Sequence, residues 1–170
     1  MKKIFYLLAL FLFLVVSCNS DDDSGSGSVS YDGTYVLTAY NVTPAADANG
    51  DGNATTNQMS EIDCFNSNRL SLSEGINAVL IDRTAGIDIS GSSPTIVCNA
   101  VTTTEGAYTV EGTNLEFAFF GSDGFTDYIN YTISGNSLIR VINNGSILTY
   151  DASGDAVSIT GTIELVYTRQ

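Results

Sequence analysis

The sequence predicts an all-β fold, a small up-and-down antiparallel β-barrel, and three observations predict it. From Tyr31 onward no segment carries the 3.6-residue apolar period of a helix. Short runs alternate apolar and polar residues with period 2 instead, the pattern of strands with one buried face. Glycine- and asparagine-rich turns separate these runs at short intervals. About 140 residues and roughly eight to ten such strands can close on themselves, which removes the exposed edges of an open sheet. A two-sheet β-sandwich is the alternative, although an immunoglobulin-like version would want a core tryptophan and the chain has none.

The first strand places Tyr35, Leu37 and Ala39 on one face and Thr34, Thr38 and Tyr40 on the other. Further strands are expected over 69–73, 78–83, 86–90, 95–100, 107–111, 114–120, 126–134, 137–143 and 146–151, with room for short neighbours to merge. In the 114–120 strand Leu115, Phe117 and Phe119 share a face, which lines a pocket or fills a core with side chains. Turn sequences punctuate the run at Glu111-Gly112-Thr113-Asn114, Ser134-Gly135-Asn136, Asn143-Asn144-Gly145 and Ser153-Gly154-Asp155. In the last strand Val157, Ile159, Gly161, Ile163, Leu165 and Tyr167 alternate with Ser158, Thr160, Thr162, Glu164 and Thr168.

The amino end reads as an address. Lys2 and Lys3 precede an unbroken apolar run from Ile4 to Val16, followed by Ser17 and Cys18. A positive start, a short apolar stretch and a small residue before the cut describe a signal peptide over 1–17. The run is shorter than the ~20 residues a membrane-crossing helix needs. Val15-Val16-Ser17-Cys18 resembles the lipobox of bacterial lipoproteins, which implies cleavage before Cys18 and acylation of that cysteine. Two or three acyl chains anchor a domain firmly where one does not. Residues 18–30 then form the lipidated end and a flexible acidic, Gly/Ser-rich tether spanning roughly 20 Å, and 31–170 form the barrel domain. Ser20-Asp21-Asp22-Asp23 resembles the acidic export signal that follows the lipidated cysteine in one group of Gram-negative bacteria. It implies an outer-membrane lipoprotein facing the cell surface, with the periplasmic leaflet as the alternative.

Composition excludes several function classes. The chain has 19 acidic residues against 6 Lys+Arg, and two of those cations lie in the signal peptide. What remains, Arg69, Arg83, Arg140 and Arg169, cannot neutralise a run of phosphates, so nucleic acid is not expected as a partner. With no histidine, a Ser-His-Asp or Cys-His enzyme is excluded. No nucleophile elbow, zinc signature or phosphate loop appears, and neither catalysis nor an organic cofactor is expected. Asp82, Asp88, Glu116 and Glu164 fall in predicted strands and read as solvated outer-face carboxylates.

Gly33-Thr34-Tyr35 in the first strand and Tyr167-Thr168-Arg169 at the end resemble the bacterial lipocalin-like lipoprotein family. In lipocalins a Gly-x-Trp packs beneath a late arginine and closes the barrel. The resemblance spans about residues 30–169 and implies that Gly33, Tyr35 and Arg169 form that closure, with Tyr35 standing where the family has tryptophan.

Two further features carry chemistry. In an exported chain Cys64 and Cys98 are expected to form a disulfide, since two thiolates without histidine make only half a zinc shell. The loop Asp47-Ala48-Asn49-Gly50-Asp51-Gly52-Asn53 sets oxygens at alternate positions with glycines for a sharp turn, as a structural Ca²⁺ loop requires. Asp47, Asn49 and Asp51 would offer side-chain oxygens and Asn53 its carbonyl. Gln58 stands where a bidentate glutamate is usual; Glu61 could reach back, with Asn57 as the weaker alternative. An ordinary solvated turn uses the same residues. The lipocalin-like lipoproteins often show this order of acidic loop, glutamate and cysteine, which Glu61 and Cys64 repeat.

Two functions are therefore expected from different classes. One is a lipid-anchored, surface-exposed, non-enzymatic binding barrel holding a small apolar ligand. The other is an accessory subunit that engages a protein partner at the outer-membrane surface with a barrel filled by its own side chains.

Overall fold

The computed structural model describes residues 30–122, 124 and 126–170. The segments expected as signal peptide and tether, with Cys18, lie outside the described residues apart from Ser30. Eleven strands follow one another: β1 (Gly33–Ala46), β2 (Thr55–Asn57), β3 (Arg69–Ser73), β4 (Asn77–Asp82), β5 (Ala85–Asp88), β6 (Thr95–Cys98), β7 (Thr102–Glu111), β8 (Asn114–Phe120), β9 (Thr126–Ser134), β10 (Ser137–Tyr150) and β11 (Ala156–Arg169). Eight of them, in the order β1, β3, β4, β7, β8, β9, β10, β11, form an antiparallel sheet that β11 closes by pairing with β1. The molecule is thus an all-β, up-and-down barrel. Strand β2 pairs with β1 on its own, and β5 and β6 form a separate hairpin. Two single turns of 3₁₀ helix, Gln58–Ser60 and Asp63–Phe65, connect β2 to β3.

Two local departures from simple alternation correct the sequence reading. The register of β1 against β11 shifts between Leu37 and Ala39, so a bulge at Thr38 reverses the faces beyond it. Tyr35 and Leu37 point inward as expected, but Val42 continues the core and Ala39 leaves it. Likewise Asn143-Asn144-Gly145 is no hairpin turn. Strand β10 runs through it with a register shift between Ile142 and Gly145, and Asn144 at φ 56° accommodates the bulge. The segments expected over 137–143 and 146–151 are one long strand.

The two barrel ends differ. One end collects the short turns after β3, β7 and β9 together with residues 30–32, where the chain enters. There the Tyr108 hydroxyl donates to Asp32 Oδ1 at 2.9 Å and the Gly75 N–H donates to the same oxygen. At the opposite end β1, β10 and β11 extend past their neighbours, and the 3₁₀ turns and the β5–β6 hairpin pack against them. The hairpin is tied in by the Ile96 N–H donating to the Tyr150 hydroxyl and the Ala156 N–H donating to the Pro94 carbonyl. Between the ends the barrel is filled by side chains, including Leu70, Leu115, Phe117, Tyr131 and Leu138, each fully buried.

Candidate functional site

Gly33 and Arg169 meet at the end where the chain enters. Tyr35 lies opposite Arg169 in the β1–β11 register. The arginine crosses Gly33 so closely that a Cβ there would stand 2.8 Å from Nε, and Gly33 at φ 144° is in backbone that side chains rarely adopt. The guanidinium donates to the carbonyls of Ser30 and Asp32. Tyr35 is buried beside it, and its hydroxyl donates to the Tyr31 carbonyl at 2.9 Å. Burial raises the Tyr35 pKa, and Arg169 partly offsets this. Gly33, Tyr35 and Arg169 thus sit together across the strand pair that shuts the barrel.

The acidic loop lies at the far end. Asp47 Oδ1 accepts the N–H groups of Gly50 and Asp51, and Oδ2 accepts that of Gly52 at 2.8 Å. Asn49 Oδ1 accepts from Asp51 N, and Asp51 Oδ1 accepts from Asn53 N, a bond that holds the exposed Asp51 carboxyl below its ordinary pKa. Gly50 packs on the Tyr150 ring, and a concavity separates the loop from the turn at Asp151. Glu61 is not brought into this group: it ends the first 3₁₀ turn, and its Oε2 is buried without a hydrogen-bond partner among the described residues. Gln58 turns away as well, donating to the carbonyls of Ala46 and Thr55. Among the described residues no three Asp, Glu or Cys side chains converge as a metal site. Cys64 and Cys98 are disulfide-bonded with Cα atoms 5.1 Å apart, pinning the second 3₁₀ turn to the end of β6.

Behind these turns lies a cavity of about 230 Å³, lined mainly by Tyr40, Val42, Ile62, Phe65, Ile147 and Leu148. Its wall is anchored by Tyr40 and Phe65, whose rings stack at 4.2 Å. Next to it the barrel interior carries a polar belt that sequence reasoning missed. Asp82 does not face solvent: it follows Ala78 and Leu80 on the inner face of β4 and is partly buried. Its Oδ1 accepts Asn68 Nδ2 at 2.6 Å, and Asn68, itself 3% exposed, also bonds the Arg83 N–H and carbonyl. Burial pushes the Asp82 carboxyl up, against the pull of Arg140. Tyr131 and Tyr167 pack edge to face at 5.9 Å, and burial pushes the Tyr131 phenol up to about 12. The signal for this belt was present: Ala78-x-Leu80-x-Asp82 and Leu138-x-Arg140-x-Ile142 put charges in step with apolar residues.

Asp88 and Glu116 do lie on outward positions, and Glu164 accepts from Asn41 Nδ2. The belt makes one prediction. Because the folded Asp82 carboxyl titrates above its unfolded value, it contributes stability that is complete below about pH 4 and is lost as pH rises through the folded pKa. Asp82→Asn should therefore gain in melting temperature over the wild type as the pH rises above about 4. A pH-independent difference would show that the carboxyl pays no burial cost.

Comparison of the chain with protein-family models, curated proteins and solved structures finds no match.

Proposed function

We propose that this chain is a lipid-anchored, surface-displayed binding barrel of the lipocalin-like lipoprotein type that holds a small ligand and catalyses nothing. The observation that carries the reading is the cavity of about 230 Å³, lined largely by apolar side chains, at the barrel end opposite Ser30. Such pockets suit one small molecule, although most run from about 300 Å³ upward, so the ligand must be compact. An acyl anchor on Cys18 would reach the domain through the tether at its closed end. The cavity and the acidic loop would then face away from the membrane, where a solute arrives first. A Ca²⁺ held by Asp47, Asn49 and Asp51, with the Asn53 carbonyl, would stiffen that outer rim. Two carboxylates among neutral oxygens imply binding of extracellular grade, ~10⁻⁴–10⁻³ M.

Native mass spectrometry of the mature chain extracted from membranes tests the reading in one spectrum. The expected masses are a chain acylated at Cys18, a Ca²⁺ adduct and a population carrying a small organic adduct. Cys18→Ala should abolish acylation and move the protein to the soluble fraction. An unacylated wild-type chain would overturn the anchor, and a chain that never retains or accepts a small molecule would overturn the binding role. A second reading, an accessory subunit of a surface assembly, is favoured by Phe120 and Tyr128, which lie exposed on the outer face of β8 and β9. Its signature would be a stoichiometric protein partner lost on Tyr128→Ser.

A further inference from the structure

The belt beside the cavity holds one buried hydroxyl, that of Tyr131, which nothing among the described residues satisfies. Arg140 points inward, because it pairs with Leu165 on β11, and Leu165 pairs in turn with Tyr40 on β1. Leu165 is buried, so the three neighbours share the inner face at one level of the barrel. Burial raises the pKa values of Tyr40, Asp82, Tyr131 and Tyr167, and the Arg140 guanidinium counters each of these shifts. Yet Asp82 and Arg140 form no direct ion pair, for no N–O contact within 4.0 Å joins them. Asp82 instead spends one oxygen on Asn68. Among the described residues no acceptor meets the Arg140 N–H groups. The Tyr131 hydroxyl, on a side chain only 1% exposed, is buried with no partner. A buried hydroxyl left without a partner is costly, so the Tyr131 oxygen needs an occupant to explain it.

We propose that this belt binds the carboxylate of a small organic acid whose apolar body lies in the adjoining cavity. The inference rests on the binding-barrel reading above. A carboxylate is planar and offers two acceptor oxygens, which match the guanidinium fork and leave a lone pair for the Tyr131 hydroxyl. Tyr40 lines the cavity and shares the inner face with Arg140, one strand beyond Leu165, so one ligand can span both. The apolar part of the lining, including Val42, Ile62 and Phe65, suits a single ring or a short chain, and Gln58, Thr84 and Ser146 add polar groups to the wall. The acidic chain as a whole repels anions, but salt screens that field beyond about 8–10 Å, and contact with Arg140 decides the outcome. A water-bridged Asp82–Arg140 pair is the rival occupant of the same space.

The test uses the mature acylated chain in nanodiscs, with 4-fluorobenzoate and its neutral isostere 4-fluorobenzamide followed by fluorine NMR. The benzoate is expected to bind at about millimolar concentration and the benzamide at least tenfold more weakly. Arg140→Gln should abolish that preference, and Tyr131→Phe, which only removes the orphaned hydroxyl, should weaken benzoate several-fold while leaving the melting temperature unchanged or higher. Equal binding of both probes, or selectivity that survives Arg140→Gln and Tyr131→Phe, would overturn the carboxylate inference while sparing the cavity. If neither probe binds, the binding-barrel reading falls with it.

Discussion

Reducing the Cys64–Cys98 bridge is expected to lower the melting temperature of the protein by roughly 10–15 °C. The bridge spans a separation of 34 residues. On the chain-entropy model such a loop restricts the unfolded chain by about 4 kcal/mol. For a domain of this size each kcal/mol moves the midpoint by about 3–4 °C. The bridge also has a local task. The β5–β6 hairpin belongs to no barrel sheet, and it is held by the Pro94, Ile96 and Asn99 backbone bonds and by the Arg83 Nε donating to the Asn99 carbonyl. Cys98 ends that hairpin, and Cys64 lies in the turn beside Phe65, which lines the cavity. Cys64→Ser with Cys98→Ser should therefore lower the midpoint and also speed amide exchange in residues 85–98 before the barrel strands open. A melting curve unmoved by reductant would mean that the bridge constrains nothing the fold does not already fix.

The fold was legible where one rule governed a whole segment. Strands β3, β8 and β9 have the bounds the alternation implied, because their inner-face residues keep a period of two between polar or glycine-containing turns. The failures occurred at bulges. Thr38 and Asn143–Gly145 insert extra residues without leaving the strand; the second has the composition of a turn, and the first lies in ordinary strand sequence that gives no sign of a bulge. That is why Tyr40 was assigned outward and why an Asn-Gly pair passed for a hairpin. The charged belt was misread for a different reason. Asp is rarely buried, so Asp82 reads as a surface residue despite keeping step with Leu80, and Arg140 in step with Leu138 draws no reading of its own. Only closure of the sheet brings β4, β9, β10 and the segment before β3 to face one another across the interior. Asn68 carried no signal at all, since its three side-chain hydrogen bonds come from the approach of Asp82 at the end of β4 and of Arg83 just beyond it.

Phe117→Ala is expected to destabilise the barrel by about 3–5 kcal/mol, lowering the midpoint by roughly 10–20 °C. Phe117 is fully buried, lies opposite Tyr108 on β7 and stacks on Phe119 with ring centroids 5.2 Å apart. The space it fills is made by its neighbour: a Cβ on Gly106 would stand 2.7 Å from the Phe117 ring and would collide with the Ala118 carbonyl oxygen. Glycine at 106 thus admits both the ring and the close approach of β8. Truncating the ring removes its transfer free energy and leaves a void that the paired β7 and β8 backbones cannot collapse into. Adding Gly106→Ala to refill the gap should not rescue stability, because the clash with the Ala118 backbone persists after the ring has gone. The same measurement separates a filled interior from an open one. A loss below about 1 kcal/mol would mean that Phe117 borders open space, and the ligand cavity would then extend down the barrel from the rim where Tyr40 and Phe65 stand.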